Sequence, residues 1–219
     1  AVNMTQMWQE ETFDPQTIEE ELTWAERAGY NSLRVFVQYL VWEHDPEGLK
    51  RRMGQFLSIA EKHGMRIMFV PFCDCAFAGR EPYLGKQDEP VPGIHNSGWV
   101  PSPGLKRVAD QTVWPGLQRY IKDLVGSFGN DRRVMVWDLY NEPGNSAMGE
   151  TSLPLVAAAF GWAREAKPDQ PLTVGAWSNF ESRMSKALME ISDVVSFHGY
   201  DGPEGILKKS RICHGYNRP

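Results

Sequence analysis

Apolar and polar residues alternate along the chain with two periods, which predict helices and strands in turn. The segment from Asp14 to Gly29 begins with a capping residue and a proline, spaces its apolar residues as a helix face requires, and ends at glycine. The run NSLRVFV at 31–37 is short, apolar and β-branched, which indicates a buried strand. A second amphipathic helix is predicted over 47–64, and a second strand over 66–72.

The alternation of strand and helix continues to residue 198. Further helices are expected near 113–128, 153–166 and 179–191, and further strands at 134–140, 171–177 and 193–198. Strands separated by single helices require right-handed crossovers, and therefore a parallel sheet with helices outside. Neither glycine-rich phosphate-binding motif occurs, so a doubly wound nucleotide-binding sheet is disfavoured. We therefore predict an α/β fold, an incomplete (β/α)8 TIM barrel forming a single domain over 1–219.

Residues 73–112 interrupt this rhythm with closely spaced prolines, glycines and aromatic residues. Connections between elements of a compact domain are seldom this long unless they carry function. The segment is therefore expected to be a long functional loop.

The composition excludes several classes of partner. The chain has 23 Lys and Arg against 28 Asp and Glu, a formal net charge of −5, so no basic surface for nucleic acid or an anionic membrane is expected. No apolar stretch approaches the roughly 20 residues needed to cross a bilayer. The three cysteines, Cys73, Cys75 and Cys213, fit no zinc-binding or disulfide spacing. We expect no metal and no cofactor, and the cellular compartment is left open.

Aromatic residues are more numerous than a core alone needs, with 8 Trp, 7 Tyr and 10 Phe. Flat ligands with polar rims, such as sugars, are bound by aromatic rings because the C–H faces of a pyranose pack against them. Trp177, at the end of a predicted strand, and Trp99 and Trp42, in predicted loops, are the candidate platforms for such a ligand.

The strongest local signal for chemistry is WDLYNEPGN at 137–145, which runs off the end of a predicted parallel strand. Glu142 continues the inward alternation of Asp138 and Tyr140, and active sites of barrels lie at the carboxyl ends of their strands. A carboxyl group there is suited to protonating a glycosidic oxygen, provided burial raises its pKa toward neutrality. The alternative is that Glu142 only caps the following helix.

Other polar residues are predicted at the same rim. Arg34 points into the barrel, where an unpaired guanidinium is costly, and Asp138 is its nearest partner by strand layer. Asp74 and Asp201 also leave strands at the carboxyl face, either as a second carboxylate or as loop caps. His198 is either a cleft residue or a buried core histidine.

Several separated motifs, in order along the chain, resemble glycoside hydrolases of clan A. They are the segment from MWQEETFDP to SLRVFV, the loop HNSGWVPSPG at 95–104, WDLYNEP, and SDVVSFHGYDGPEG at 192–205. The likeness is greatest to family 5 and its cellulase-like and β-1,4-xylanase or mannanase-like members. It implies a retaining hydrolase without a cofactor in which Glu142 is the acid/base and Asn141 holds the sugar 2-hydroxyl. It further implies that Arg34 steadies the nucleophile and that His198 and Tyr200 line the cleft.

The family's nucleophile, a Glu at the end of the seventh strand, has no counterpart in this sequence. The visible strands match the second to the sixth, so we expect a barrel lacking roughly the first, seventh and eighth strands. Asp138, Asp201, Asp74 or a residue of a partner chain is then the candidate second carboxylate. Open sheet edges favour association, which predicts a homo-oligomer, most simply a dimer.

The functional prediction is a hydrolase of β-1,4-linked glycans, and the sequence does not separate glucan, xylan and mannan. The alternative is a truncated, catalytically impaired fragment that binds oligosaccharide without turning it over. A module with neither activity is the third hypothesis.

Overall fold

A computed structural model describes residues 2–177 and 179–219. The strands are β1 (Ser32–Phe36), β2 (Arg66–Val70), β3 (Phe72–Cys73), β4 (Val134–Asn141), β5 (Leu172–Ala176) and β6 (Ser196–Phe197). The α-helices are α1 (Met4–Trp8), α2 (Pro15–Arg27), α3 (Tyr39–His44), α4 (Pro46–Lys62), α5 (Leu105–Ala109), α6 (Trp114–Phe128), α7 (Leu153–Glu165), α8 (Arg183–Ile191) and α9 (Pro203–His214).

The strands form one parallel sheet in the order β1-β2-β4-β5-β6, and the short β3 also pairs with β4. Sequential strands are neighbours and are joined by helical crossovers, as in a (β/α)8 barrel. Within the described residues β1 pairs only with β2 and β6 only with β5, so the sheet does not close. The predicted fold class, an incomplete TIM barrel, is confirmed.

Helices α2 and α4 begin at residues whose side chains cap them. The Asp14 carboxylate accepts hydrogen bonds from the amides of Gln16 and Thr17, and Pro15 occupies the first turn of α2. Asp45 caps α4 in the same way by accepting from the Gly48 amide. Each of these acceptors satisfies an amide that has no partner within the helix, which is why the sequence locates these starts well.

Three segments differ from the sequence prediction. The aromatic segment after β1, expected to be a loop, contains α3, which starts where the Gln38 side chain accepts from the Leu40 amide. The long loop contains α5. The last strand, predicted over 193–198, is reduced to Ser196–Phe197, although the Asp193 amide still donates to the Leu172 carbonyl of β5.

The hydrophobic core lies between the sheet and the surrounding helices, around Phe69, Trp137 and Phe160, all nearly inaccessible to solvent. Burying aromatic rings of this size supplies much of the stabilisation of such a core. No helix in the described part of the chain has the length and apolar character to cross a membrane.

Candidate active site

A cleft of about 610 Å³ lies at the carboxyl ends of the strands. Its lining residues come from β1, from the segments that follow β3, β4, β5 and β6, and from the long loop. They are Arg34, Phe36, Cys75, Phe77, His95, Asn96, Trp99, Asn141, Glu142, Asn145, Trp177, His198 and Tyr200. All five residues that the sequence placed in the catalytic group, Glu142, Asn141, Arg34, His198 and Tyr200, line this one cleft.

Arg34 of β1 forms the pair with Asp138 that the strand layers suggested. Its Nε and Nη2 lie 2.8 and 2.5 Å from Oδ2 of Asp138, and Nη2 also donates to Oδ1 of Asn141 at 2.8 Å. The Asp138 side chain is 2% exposed and that of Arg34 is 29% exposed. Burial raises the pKa of Asp138, and the charge and hydrogen bonds of Arg34 oppose this rise.

The strict alternation expected along β4 fails near its end. The register of β4 against β5 shifts between Asp138 and Asn141, so both of these side chains reach Arg34. Tyr140 does not line the cleft, and its hydroxyl donates instead to Oδ1 of Asp74 at 2.6 Å. Such an irregularity changes which face a side chain takes, and residue spacing does not reveal it.

Glu142 projects into the cleft from a strained turn directly after β4. Its φ is +48°, a conformation that costs a residue with a side chain about 1–2 kcal/mol. The residue is 7% exposed, and three side chains contact its carboxyl group. Nδ1 of His198 lies 2.5 Å from Oε1, while Nδ2 of Asn145 and Sγ of Cys75 lie 2.7 and 3.2 Å from Oε2.

The condition set for Glu142, that burial raises its pKa toward neutrality, is not met. Burial does raise this pKa, but hydrogen bonds from His198, Cys75 and Asn145 and the charge of His198 outweigh it. The resulting pKa lies below the ordinary value of a glutamate, because donors stabilise the ionised form. In the ligand-free protein Glu142 is therefore a carboxylate at neutral pH.

Two thiols contact the side-chain amide of Asn141, and one of them, Cys75, lines the cleft. Nδ2 of Asn141 donates to Sγ of Cys73 at 3.1 Å and to Sγ of Cys75 at 3.2 Å. Both cysteines are buried and neither is in a disulfide. The amide group of Asn141 is thus held at both ends, by Arg34 on its oxygen and by the sulfurs on its nitrogen.

Aromatic side chains form the walls of the cleft. Trp177 anchors its indole by donating to the Pro143 carbonyl at 3.0 Å, and Trp99 packs edge-on against Phe36 with ring centroids 4.9 Å apart. Tyr200 is 88% exposed at the rim. Phe77, which contacts His95 at the rim, is not among the predicted residues; its position in the long loop beside Cys75 was the available signal.

The prediction that Trp42 lies in a loop is wrong. It lies in α3, donates to Oδ2 of Asp123 at 2.7 Å, and packs against Tyr39 and Tyr120. Because the helix fixes the indole against α6, Trp42 does not line the cleft.

None of the three candidate second carboxylates lines the cleft. Asp138 is engaged by Arg34. Asp74 is fully buried and accepts from Tyr140, Ser152 and the Gly144 amide, and burial raises its pKa to about 6 despite these donors. Asp201 pairs with Lys209 at 2.5 Å, which lowers its pKa.

Asp74 and Asp201 therefore perform the loop-anchoring tasks that the sequence analysis gave as the alternative. Their oxygens hold neighbouring segments of chain rather than facing the cleft. In the described part of the chain no cluster of three or more His, Cys, Asp or Glu side chains has a metal-binding arrangement.

The solved structures that this chain resembles in fold include glycoside hydrolases. The endo-β-1,4-mannanase from Thermotoga petrophila superposes with a TM-score of 0.64 at 15% identity, over 99% of this chain and 58% of its own. The β-mannanase from Mytilus edulis gives 0.57 at 18% identity, over 91% and 67%. The xylanase 10B from Thermotoga maritima gives 0.56 at 16% identity, over 91% and 63%.

The likeness to these proteins is one of fold. The chain spans between 58% and 67% of the length of the three structures. No protein-family model matches the sequence. No curated protein matches it either. The assignment to family 5 stays a prediction.

Proposed function

We propose that the chain carries the acid/base half of a glycoside hydrolase site for β-1,4-linked glycans, with Glu142 as the acid/base. The observation that carries this proposal is the buried carboxyl group of Glu142 in an aromatic-walled cleft at the carboxyl edge of a parallel sheet. Barrel active sites are built at that edge. The two mannanases and the xylanase that share the fold support a β-1,4-glycan as the substrate class.

In this proposal the sugar ring lies on Trp177 and Trp99, with the scissile oxygen beside Glu142. Glu142 in its protonated form donates to that oxygen as the bond to the anomeric carbon breaks. His198 holds the Glu142 carboxyl group in place through its hydrogen bond to Oε1. Tyr200 lies at the rim of the same cleft.

A retaining reaction also needs a nucleophilic carboxylate about 5 Å from the acid/base. Among the described residues, Glu142 is the one carboxylate that lines the cleft. A second carboxylate close by would also raise the pKa of Glu142, since two like charges oppose one another. The described residues alone place the pKa of Glu142 below its ordinary value.

The lack of a second carboxylate in the cleft lining, among the described residues, favours oligosaccharide binding without turnover as the second candidate function. In that case the aromatic walls and polar floor of the cleft hold a glycan, but no double displacement follows.

One pair of assays separates the two functions. Release of reducing ends from soluble β-1,4-mannan, xylan and glucan tests hydrolysis, with Glu142→Gln as the variant that removes the acid. We expect any hydrolysis to fall at least about a hundredfold in Glu142→Gln, the usual size of an acid/base contribution. Hydrolysis that is indifferent to this change would exclude the proposed role.

Binding is measured separately, by calorimetry with β-1,4-oligosaccharides. Replacing an aromatic platform should cost about 0.5–1.5 kcal/mol, so Trp177→Ala should weaken binding. Trp24→Ala is the matched control, because Trp24 is a 63% exposed tryptophan on α2 that does not line the cleft. Equal losses in both variants, or no binding by the unaltered chain, would contradict a glycan cleft.

The dimer predicted from the sequence stays a prediction. The open edge of β1 supports it, since the groove beside this strand, about 580 Å³ in volume, is lined by apolar residues that include Met4, Leu22 and Leu33. Light scattering after size exclusion should give twice the mass of one chain. A monomer at micromolar concentration would refute it.

A further inference from the structure

The contact between Cys75 and Glu142 plays no part in the proposed reaction so far. Sγ of Cys75 lies 3.2 Å from Oε2 of Glu142, and Cys75 is 3% exposed. The residue lies two positions after the short strand β3, at the start of the long loop. The Cys75 thiol therefore contacts the carboxyl group of Glu142, which is the proton donor in the proposed reaction.

The direction of the hydrogen bond follows from the neighbouring amide. Arg34 has only donors, so the atom of Asn141 that faces it must be the oxygen, and the Asn141 nitrogen therefore faces the two sulfurs. Sγ of Cys75 thus accepts from Asn141, and its own hydrogen is available to the Glu142 carboxylate. Contact with Cys73 and burial raise the pKa of Cys75, which keeps this thiol protonated.

We propose that Cys75 is a positioning residue for Glu142, whose thiol donates to Oε2 and sets the pH at which that carboxyl group takes up its proton. The relevance of this effect to catalysis rests on the proposed hydrolase function. A donor stabilises the ionised carboxylate, so its removal must raise the pKa of Glu142.

The other hydrogen bonds to the Glu142 carboxyl group come from His198 and Asn145. His198 follows β6 and contacts Oε1, and Asn145 of the same turn contacts Oε2. Arg34 on β1 acts at one remove, through Asn141, and its charge is balanced by Asp138 on β4. Cys75 is the contact from the β3 side, so replacing it removes one donor and leaves the others in place.

The test is a carboxyl ¹³C NMR titration of Glu142, assigned by its loss in Glu142→Gln. Cys75→Ala should raise the pKa of Glu142 by at least about half a unit, while Cys75→Ser, which keeps a donor, should leave it at or below the unaltered value. Cys213→Ala is the matched control, because Cys213 is a buried thiol on α9 that does not line the cleft. If Cys75→Ala does not fold, Cys75→Val provides the donor-free variant.

A donor-free variant that folds and titrates within about 0.2 units of the unaltered chain would overturn the proposal. Equal shifts of the pKa in the serine and alanine variants would also overturn it, since only packing would then matter. Because the titration needs no substrate, a shift without any hydrolysis would refute the proposed function and leave this inference standing. Where hydrolysis occurs, the pH profile of kcat should move in the same direction.

Discussion

Removing the Arg34 side chain should destabilise the protein in a strongly pH-dependent manner. Arg34→Ala leaves the Asp138 carboxylate, 2% exposed, without its counter-charge, and among the described residues Oδ1 of Asp138 already has no hydrogen-bond partner. Breaking a buried ion pair from one side costs about 3–5 kcal/mol. Arg34 itself is 29% exposed, which lets some water reach the pair, so the lower end of this range applies.

The pH dependence follows from the pKa of Asp138. Burial already raises this pKa above that of an ordinary aspartate, and loss of Arg34 must raise it further. A carboxyl group with a raised folded-state pKa loses stability as pH rises from the unfolded pKa through the folded one. The gap between the unaltered chain and Arg34→Ala should therefore be about 3 kcal/mol at pH 7 and clearly smaller near pH 4.5.

Urea unfolding at both pH values measures this gap, and at pH 7 the Tm should fall by about 6–12 °C for a chain of this size. Asp138→Asn should cost less than Arg34→Ala, because a partly exposed guanidinium can turn to water whereas the aspartate cannot. The double variant should be more stable than the sum of the two losses implies. A loss below about 1 kcal/mol at pH 7, or additive losses, would refute an energetically important buried pair.

Two further predictions concern the supports of the site. The pKa of Asp74 is about 6, against 3.8 in an unfolded chain, so the folded state binds the extra proton over this interval. Relative to Asp74→Asn, the unaltered chain should therefore lose about 2 kcal/mol of stability between pH 4 and pH 6, measured by urea unfolding. A stability difference between the two chains that does not change across that interval would count against it. Gly175→Ala should displace the His198 ring, because an added Cβ would lie 2.8 Å from its Nε2. The pKa of Glu142 should then rise with little loss of Tm, and an unchanged carboxyl titration would show that the ring did not move.

The composition and the periodicity of the chain were sufficient for the architecture. Capping at Asp14 and Asp45 and the spacing of apolar residues act over a few positions, so they can be recognised without tertiary contacts. The same holds for the carboxyl ends of parallel strands, which must share one edge of the sheet. That is why Arg34, Glu142 and His198 could be assigned to one cleft before their positions were known.

Other features depend on contacts between segments far apart in sequence. The register shift in β4 sends Tyr140 to Asp74, and packing against Tyr120 draws Trp42 away from the cleft. Neither is encoded in local spacing.

The sequence by itself determined a parallel half-barrel with a carboxyl group, an amide and a guanidinium at its rim, because periodicity and strand order are properties of the chain. The tertiary structure alone decided the charge state of Glu142. Burial and three hydrogen-bond donors act on that carboxyl group in opposite directions, and only their distances show that the donors prevail.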